Sequence, residues 1–264
     1  MPARSVAKQS EAKQRTAVYV YGILPGDIDI ESGTTGVGDP PGEVRLVRYR
    51  DLAALVSDVD LDKPLGRPED LMAHEELLDS AAGDVPVLPL RFGSVLTDDE
   101  AVSRELLGEH ADDFANALKE LEGRAEYVVK GRYAEHAILR EVLAENKDAA
   151  ALGEQIRGAD EDATRNARIQ LGEIVNQAID GKRERDTRAL GNAVADYVAA
   201  SLVRPPTHEL DAVHTAFLVE TSKVPDLERA IEKLSHDWKG RVELRLMGPL
   251  AAYDFVGTAT PSEA

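Results

Sequence analysis

The chain has 264 residues, a formal net charge of -18 at neutral pH and no cysteine. The missing cysteines exclude disulfides, thiol nucleophiles and cysteine-held zinc or iron–sulfur centres. The acidic balance argues against nucleic acid and against an anionic membrane surface as partners. Hydrophobic residues make up 43% and aromatic residues only 5%, so the length and composition describe one large or two small globular domains with an aliphatic core.

No apolar run approaches the about 18 residues of a membrane span. The first 16 residues carry Arg4, Lys8, Lys13 and Arg15 without an apolar stretch. They read as a disordered basic extension rather than a secretory signal, which leaves the chain in the cytoplasm.

Residues 17–23 form a uniformly apolar, β-rich run of the length of a central strand. Residues 25–42 are crowded with Gly, Pro, Asp and Thr and read as a loop. Residues 43–49 and 52–59 read as strands joined by a bend at Arg50-Asp51. Pro68 suits the first turn of a helix, which runs to about Ala82 and stops at Gly83. Leu71, His74, Leu78 and Ala81 share one face of it. Residues 85–90 predict a short edge or irregular strand, because Pro86 and Pro89 cannot donate to a ladder. Thr97 and Glu100 have capping-box spacing and open a helix carrying Val102, Leu106 and Leu107. A second helix places Phe114, Ala117, Leu118 and Leu121 on one stripe and ends at Gly123.

A new unit opens with a strand at residues 126–130. Helical periodicity then continues to about Ser201, with a final stripe of Leu190, Val194, Tyr197, Val198 and Ser201 and with breaks at Gly153, Gly158 and Gly181. Pro205-Pro206 ends it. Residues 211–220 predict a strand. Pro225 starts a helix with Leu227, Ala230, Ile231, Leu234 and Trp238 on one face, followed by Gly240 as a cap residue. Residues 241–247 alternate charged and apolar side chains as a half-buried strand does. The expected fold class is α+β. Residues 17–123 form an N-terminal α+β domain. Residues 124–256 form a ferredoxin-like C-terminal domain with a helical insertion, and 257–264 form a flexible tail.

Catalytic motifs are incomplete. His74-Glu75 opens like a zinc-protease helix, but Leu78 stands where the second histidine belongs. A packed structural histidine is the simpler reading, and a hydrolase using His74 and Glu75 is the alternative. Gly33, Gly36 and Gly38 lack the order of a phosphate-binding fingerprint and read as a flexible surface loop. The remaining histidines, His110, His136, His208, His214 and His236, have no metal-ligand spacing. Asp98-Asp99 and Asp112-Asp113 are the pairs expected by chance in so acidic a chain, and no serine sits in a nucleophile elbow. Residues 182–188, with mixed charges, read as a solvated helical face or turn, with partner docking as the alternative. No catalytic residue, cofactor or metal site is assigned, and a small-ligand regulatory module is a further alternative by analogy of fold alone.

Three segments in fixed order carry a resemblance. They are Tyr19-Val20-Tyr21-Gly22-Ile23, Leu88-Pro89-Leu90-Arg91-Phe92-Gly93, and Gly248-Pro249 through Tyr253-Asp254-Phe255-Val256. With the strand-like runs between them, they make the chain similar to the gas vesicle protein F/L family over residues 17–256. At Leu250, Ala251 and Ala252 the chain departs from the aromatic and prolines usual there. The resemblance implies two domains and a non-enzymatic role in gas vesicle assembly. It also implies association with the hydrophobic GvpA-type shell protein and with other accessory proteins. A shell face that excludes water aggregates unless a partner covers it, which fits a soluble, acidic, chaperone-like factor or minor vesicle component. Arg91, Phe92, Tyr253 and Phe255 are the first candidates for partner contact. On sequence grounds core packing is the simpler reading of Phe92, Tyr253 and Phe255.

Overall fold

The structure, a computed structural model, describes residues 15–256. The chain divides into two compact units, with the boundary between Glu122 and Gly123. The expected tail at 257–264 and most of the basic extension lie outside the described residues.

The first unit is built on strand β1 (Thr16–Pro25), buried along almost its whole length. A run with no polar alternation suits such a strand, because both faces are covered. It pairs antiparallel with β3 (Leu52–Asp60), which in turn pairs with β2 (Arg45–Tyr49) through the expected bend, where Arg50 takes φ 51°. Helix α1 (Pro68–Ala82) follows, then two-residue strands β4 (Leu88–Pro89) and β5 (Val95–Leu96), both paired with β1. Sheet order is β2-β3-β1-β4. The prolines at 86 and 89 account for how short β4 is. Helix α2 (Asp99–Ala101) continues as a π-helical segment over Val102–Gly108, and α3 (Ala111–Leu121) closes the unit.

Three expectations shift in this unit. The α2 cap is Asp98, whose carboxylate accepts the Ala101 N–H at 2.9 Å, one residue after Thr97. Helix α1 buries Asp70, His74 and Leu78, while Leu71 is 42% exposed. Its inward face therefore follows i, i+4 and i+8 and includes a charge. The glycine-rich loop is packed rather than a free surface loop. Val37 is 1% exposed and donates its N–H to Tyr21 Oη at 2.8 Å, and a side chain at Gly36 would collide with that hydroxyl. Gly38 N–H donates to Asp70 Oδ1 at 3.1 Å.

The second unit runs β6 (Arg124–Tyr133), α4 (Glu135–Glu145), α5 (Lys147–Ile156), α6 (Glu161–Val194), β7 (Val198–Val203), β8 (Asp211–Glu220), α7 (Val224–Asp237) and β9 (Val242–Leu250). A short 3-10 turn precedes α7. All pairings are antiparallel and the sheet order is β7-β8-β6-β9. One face of the sheet, with Tyr127, Val129, Phe217 and Val219, packs against Leu190 and Val194 of α6 and Leu227 and Ile231 of α7.

The helical stripe expected to reach Ser201 stops at Val194. Residues 195–197 turn, and Val198–Val203 becomes β7. The spacing of Tyr197, Val198 and Ser201 fits a helix, but the available edge of β8 supplies a ladder, and tertiary pairing outweighs local preference. Pro205-Pro206 thus ends a strand. Gly153 and Gly181 lie inside α5 and α6; of the three expected breaks only Gly158, at φ 72°, interrupts the helices.

Candidate functional site

The segments that stood out in the sequence are each held on a rigid frame. In the first unit, β4 lies beside Gly22 and Ile23 of β1. A Cβ at Gly22 would sit 2.7 Å from the Leu88 carbonyl oxygen, so only glycine allows the approach. The Leu90 N–H donates to the Tyr21 carbonyl at 2.8 Å. Beyond β4 the chain turns at Gly93, φ 89°, and Ser94 closes the turn by donating its N–H and its hydroxyl to the Arg91 carbonyl, at 3.2 and 2.8 Å. Arg91 is thereby left exposed and Phe92 half-buried.

Behind this turn sits a buried hydrogen-bond chain. Gly93 N–H donates to Tyr19 Oη at 3.0 Å, and Tyr19 Oη lies 2.9 Å from His74 Nδ1. The backbone of Leu90 bonds the same imidazole. A carbonyl only accepts, so the imidazole donates there and Nδ1 accepts the Tyr19 hydroxyl proton. That tautomer is neutral, consistent with burial pushing His74 down to about 4. Burial raises the phenols of Tyr19 and Tyr21 above their ordinary value. Phe92 meets Tyr19 and His74 edge-on, at centroid distances of 5.8 and 5.6 Å. Tyr21 Oη bonds Ser57 Oγ at 2.8 Å and completes the cluster.

His74 and Glu75 are not brought together: His74 is buried in this cluster and Glu75 is on the exposed face of α1. Asp70 is held below the usual carboxylate range by its hydrogen bond to Arg67, against the effect of burial. No group of three or more metal-ligating side chains occurs among the described residues.

In the second unit the end of β9 leads into a turn over residues 251–256. The ring of Tyr127 lies where a side chain at Gly248 would be, with Cδ1 2.5 Å from the position of a Cβ. Ala251 and Ala252, which replace bulkier residues of the resemblance, are 1% and 4% exposed, so small side chains fill these places. Three charges fix the segment. Arg204 donates from Nη2 to Glu126 at 2.7 Å and from Nε to Asp254 at 2.6 Å. The Asp254 N–H donates to the other Glu126 oxygen at 3.1 Å. Glu126 is 1% exposed, and Arg204 and the Asp254 N–H are among its partners. Tyr253 and Phe255 flank the pinned Asp254; Tyr253 is 37% exposed and Phe255 half-buried. None of Phe92, Tyr253 and Phe255 is fully buried.

The model of the family described as gas vesicle synthesis protein GvpL/GvpF matches residues 17–257. The chain belongs to the GvpL/GvpF family. It is 35% identical to gas vesicle protein F of Streptomyces sp. (strain CB03234) over 243 residues, covering 91% of this chain and 99% of that one. To gas vesicle protein L of the same strain it is 29% identical over 270 residues, with 91% and 93% covered. The crystal structure of GvpF from Anabaena sp. PCC7120 superposes with a TM-score of 0.73 at 23% identity, covering 90% and 97%. The fold of this GvpL/GvpF chain is therefore that of a solved relative.

A second ionic cluster escaped the sequence reading. Within the stretch expected to be solvated, Lys182 is 1% exposed and donates to Glu141 and Glu145 at 2.5 and 2.7 Å. Asp186 accepts from Tyr133 Oη at 2.6 Å and from Arg241 Nη2 at 2.9 Å. Burial works against the charge on Arg241, but Asp186 and Glu141 outweigh it and raise its pKa. Burial and the Asp186 contact both raise the Tyr133 phenol. The cluster ties α4, α6, β6 and the start of β9 together. A pattern of i, i+4 spacing between Lys182 and Asp186 was the available signal, but their partners on α4 and β6 lie far away in sequence.

Proposed function

We propose that this chain is a non-enzymatic, chaperone-like accessory factor of gas vesicle assembly. It binds GvpA-type shell subunits and other accessory proteins in the cytoplasm. The observation that carries the reading is that the resemblance-bearing segments hold Arg91 and Phe92 in one unit, and Tyr253 and Phe255 in the other, partly exposed on stiff frames. Half-buried aromatics beside charged groups are the usual anchors of protein contacts. Pre-ordered turns lower the entropic cost of such contacts. The bonds of a neutral His74 to Tyr19 and Leu90 support a packing role for it over hydrolysis with Glu75. The two units act as separate domains in this reading. The second is a ferredoxin-like domain, supported by its β-α-β-β-α-β order and its β7-β8-β6-β9 sheet, with α4 and α5 as the insertion.

Co-expression with the shell protein tests this. The wild-type chain is expected to recover shell protein in the soluble fraction, and Phe92→Ser together with Phe255→Ser is expected to reduce recovery at least tenfold without moving the unfolding midpoint. No recovery by the wild-type chain, with shell protein expressed, overturns the reading. A large drop in the midpoint of the double variant assigns the aromatics to packing instead.

A further inference from the structure

Edge strands expose unpaired backbone groups, and proteins blunt them with charge, proline, shortness or irregularity. Most edges of this chain are blunted so. Strand β2 carries Arg45, paired with Asp58 and Asp99, and Arg48, paired with Asp29. Strands β4 and β5 are two residues long. Strand β9 carries Glu243, Arg245 and Pro249. From Ala200 onward strand β7 has none of these devices. Its six residues, Val-Ala-Ala-Ser-Leu-Val, hold no charge and no proline, and all but Val198 are exposed. Its one irregularity lies at its start, between Val198 and Ala200.

We propose that β7 is a docking edge that accepts an extended apolar segment of the shell subunit as an added strand. This rests on the shell-binding role given above. Arg204 N–H donates to the His214 carbonyl at 2.8 Å, and the alternation of an antiparallel pair then turns the N–H and C=O of Ser201 and Val203 away from β8. These groups are the template for the incoming strand. The side chains around them are apolar: Leu202 is 41% and Val203 60% exposed. Leu202 continues a cross-strand row formed by Ala216, Val128 and Met247, so an added apolar residue extends it. At the end of β7 a cavity of about 570 Å³, walled in part by Val203, Pro205, Pro206 and Val213, offers a place for one side chain of the docked segment. Arg204, the next residue after β7, holds Asp254 between Tyr253 and Phe255, so the edge is continuous with that contact segment.

A second copy of this chain is a poor occupant. Two bodies of net charge -18 repel, and each would bring that charge to the shared edge.

The test is capture of the shell protein on co-expression, with amide exchange of the full chain measured free and in the complex. Ser201→Pro and Val203→Lys are expected to lower capture at least tenfold, while Glu243→Lys on the β9 edge captures as wild type. Exchange at the Ser201 and Val203 amides is expected to slow at least tenfold in the wild-type complex. If the wild-type chain captures shell protein but the β7 variants capture equally and the two amides exchange unchanged, the β7 assignment is overturned and the shell-binding role stands. If the wild-type chain captures nothing, both fall. Should a variant fail to fold, exchange in the wild-type complex decides.

Discussion

The turn around Phe92 and the turn around Tyr253 are held by opposite means. The first rests on neutral groups: backbone amides, two phenols and an uncharged imidazole. The second rests on charges, with Arg204 bridging a buried Glu126 and Asp254. Neutral hydrogen bonds each contribute about 1 kcal/mol and fail singly. A buried carboxylate fails abruptly, because removing its cation leaves an uncompensated charge. Two segments with similar exposure therefore have different weak points.

The largest expected effect comes from breaking the charged frame. Arg204→Ala is expected to destabilise the second unit by about 3–5 kcal/mol, since Glu126 stays buried. The chain has one tryptophan, Trp238, which packs in that unit, so its fluorescence during urea unfolding follows this unit specifically. An unchanged midpoint would mean that the remaining contacts of Glu126, the Asp254 N–H among them, suffice to hold it.

Acid is the weak point of the neutral frame. Burial holds His74 at about 4, below its ordinary 6.5. Between these values the unfolded chain binds a proton that the folded chain does not, so stability rises with pH across this window. Acidifying from pH 6.5 to 4 is expected to remove on the order of 3 kcal/mol through His74 alone. NMR titration of the His74 ring checks the folded value, and His74→Phe is expected to flatten this part of the acid profile. A ring that titrates near 6.5 in the folded chain would defeat the argument.

The smallest effect sharpens the same comparison. Tyr19→Phe deletes the hydroxyl between Gly93 and His74 while keeping the ring that meets Phe92. The expected cost is about 1–2 kcal/mol, seen as a lower thermal midpoint and faster exchange at the Gly93 amide. An effect as large as that of Arg204→Ala would show that the two frames do not differ in kind.

Elements with a single dominant signal were legible in sequence. Strand β1 was visible as a continuous apolar run, β8 as residues 211–220, and α7 from Pro225 and its apolar stripe. Strand β7 was not, because Leu190 through Ser201 satisfies helical spacing until the edge of β8 offers a partner. The glycine-rich loop was legible as a loop but not as a packed one, since what orders it is the Tyr21 hydroxyl and the Asp70 carboxylate. In the candidate contact segments, Arg91, Phe92, Tyr253 and Phe255 stood out by resemblance, while the groups that position them did not. Glu126 and Asp254 are 128 positions apart, and nothing local relates them.

By itself, the sequence determined the acidic, cysteine-free chemistry, most of the elements and, through three short segments, the family. Those properties depend on composition and on the spacing of neighbours along the chain. Only the tertiary structure decided which charges are buried, that Lys182 and Glu126 are core rather than surface, and that β7 stands as a bare edge. Burial and pairing are set by what distant segments bring to the same place.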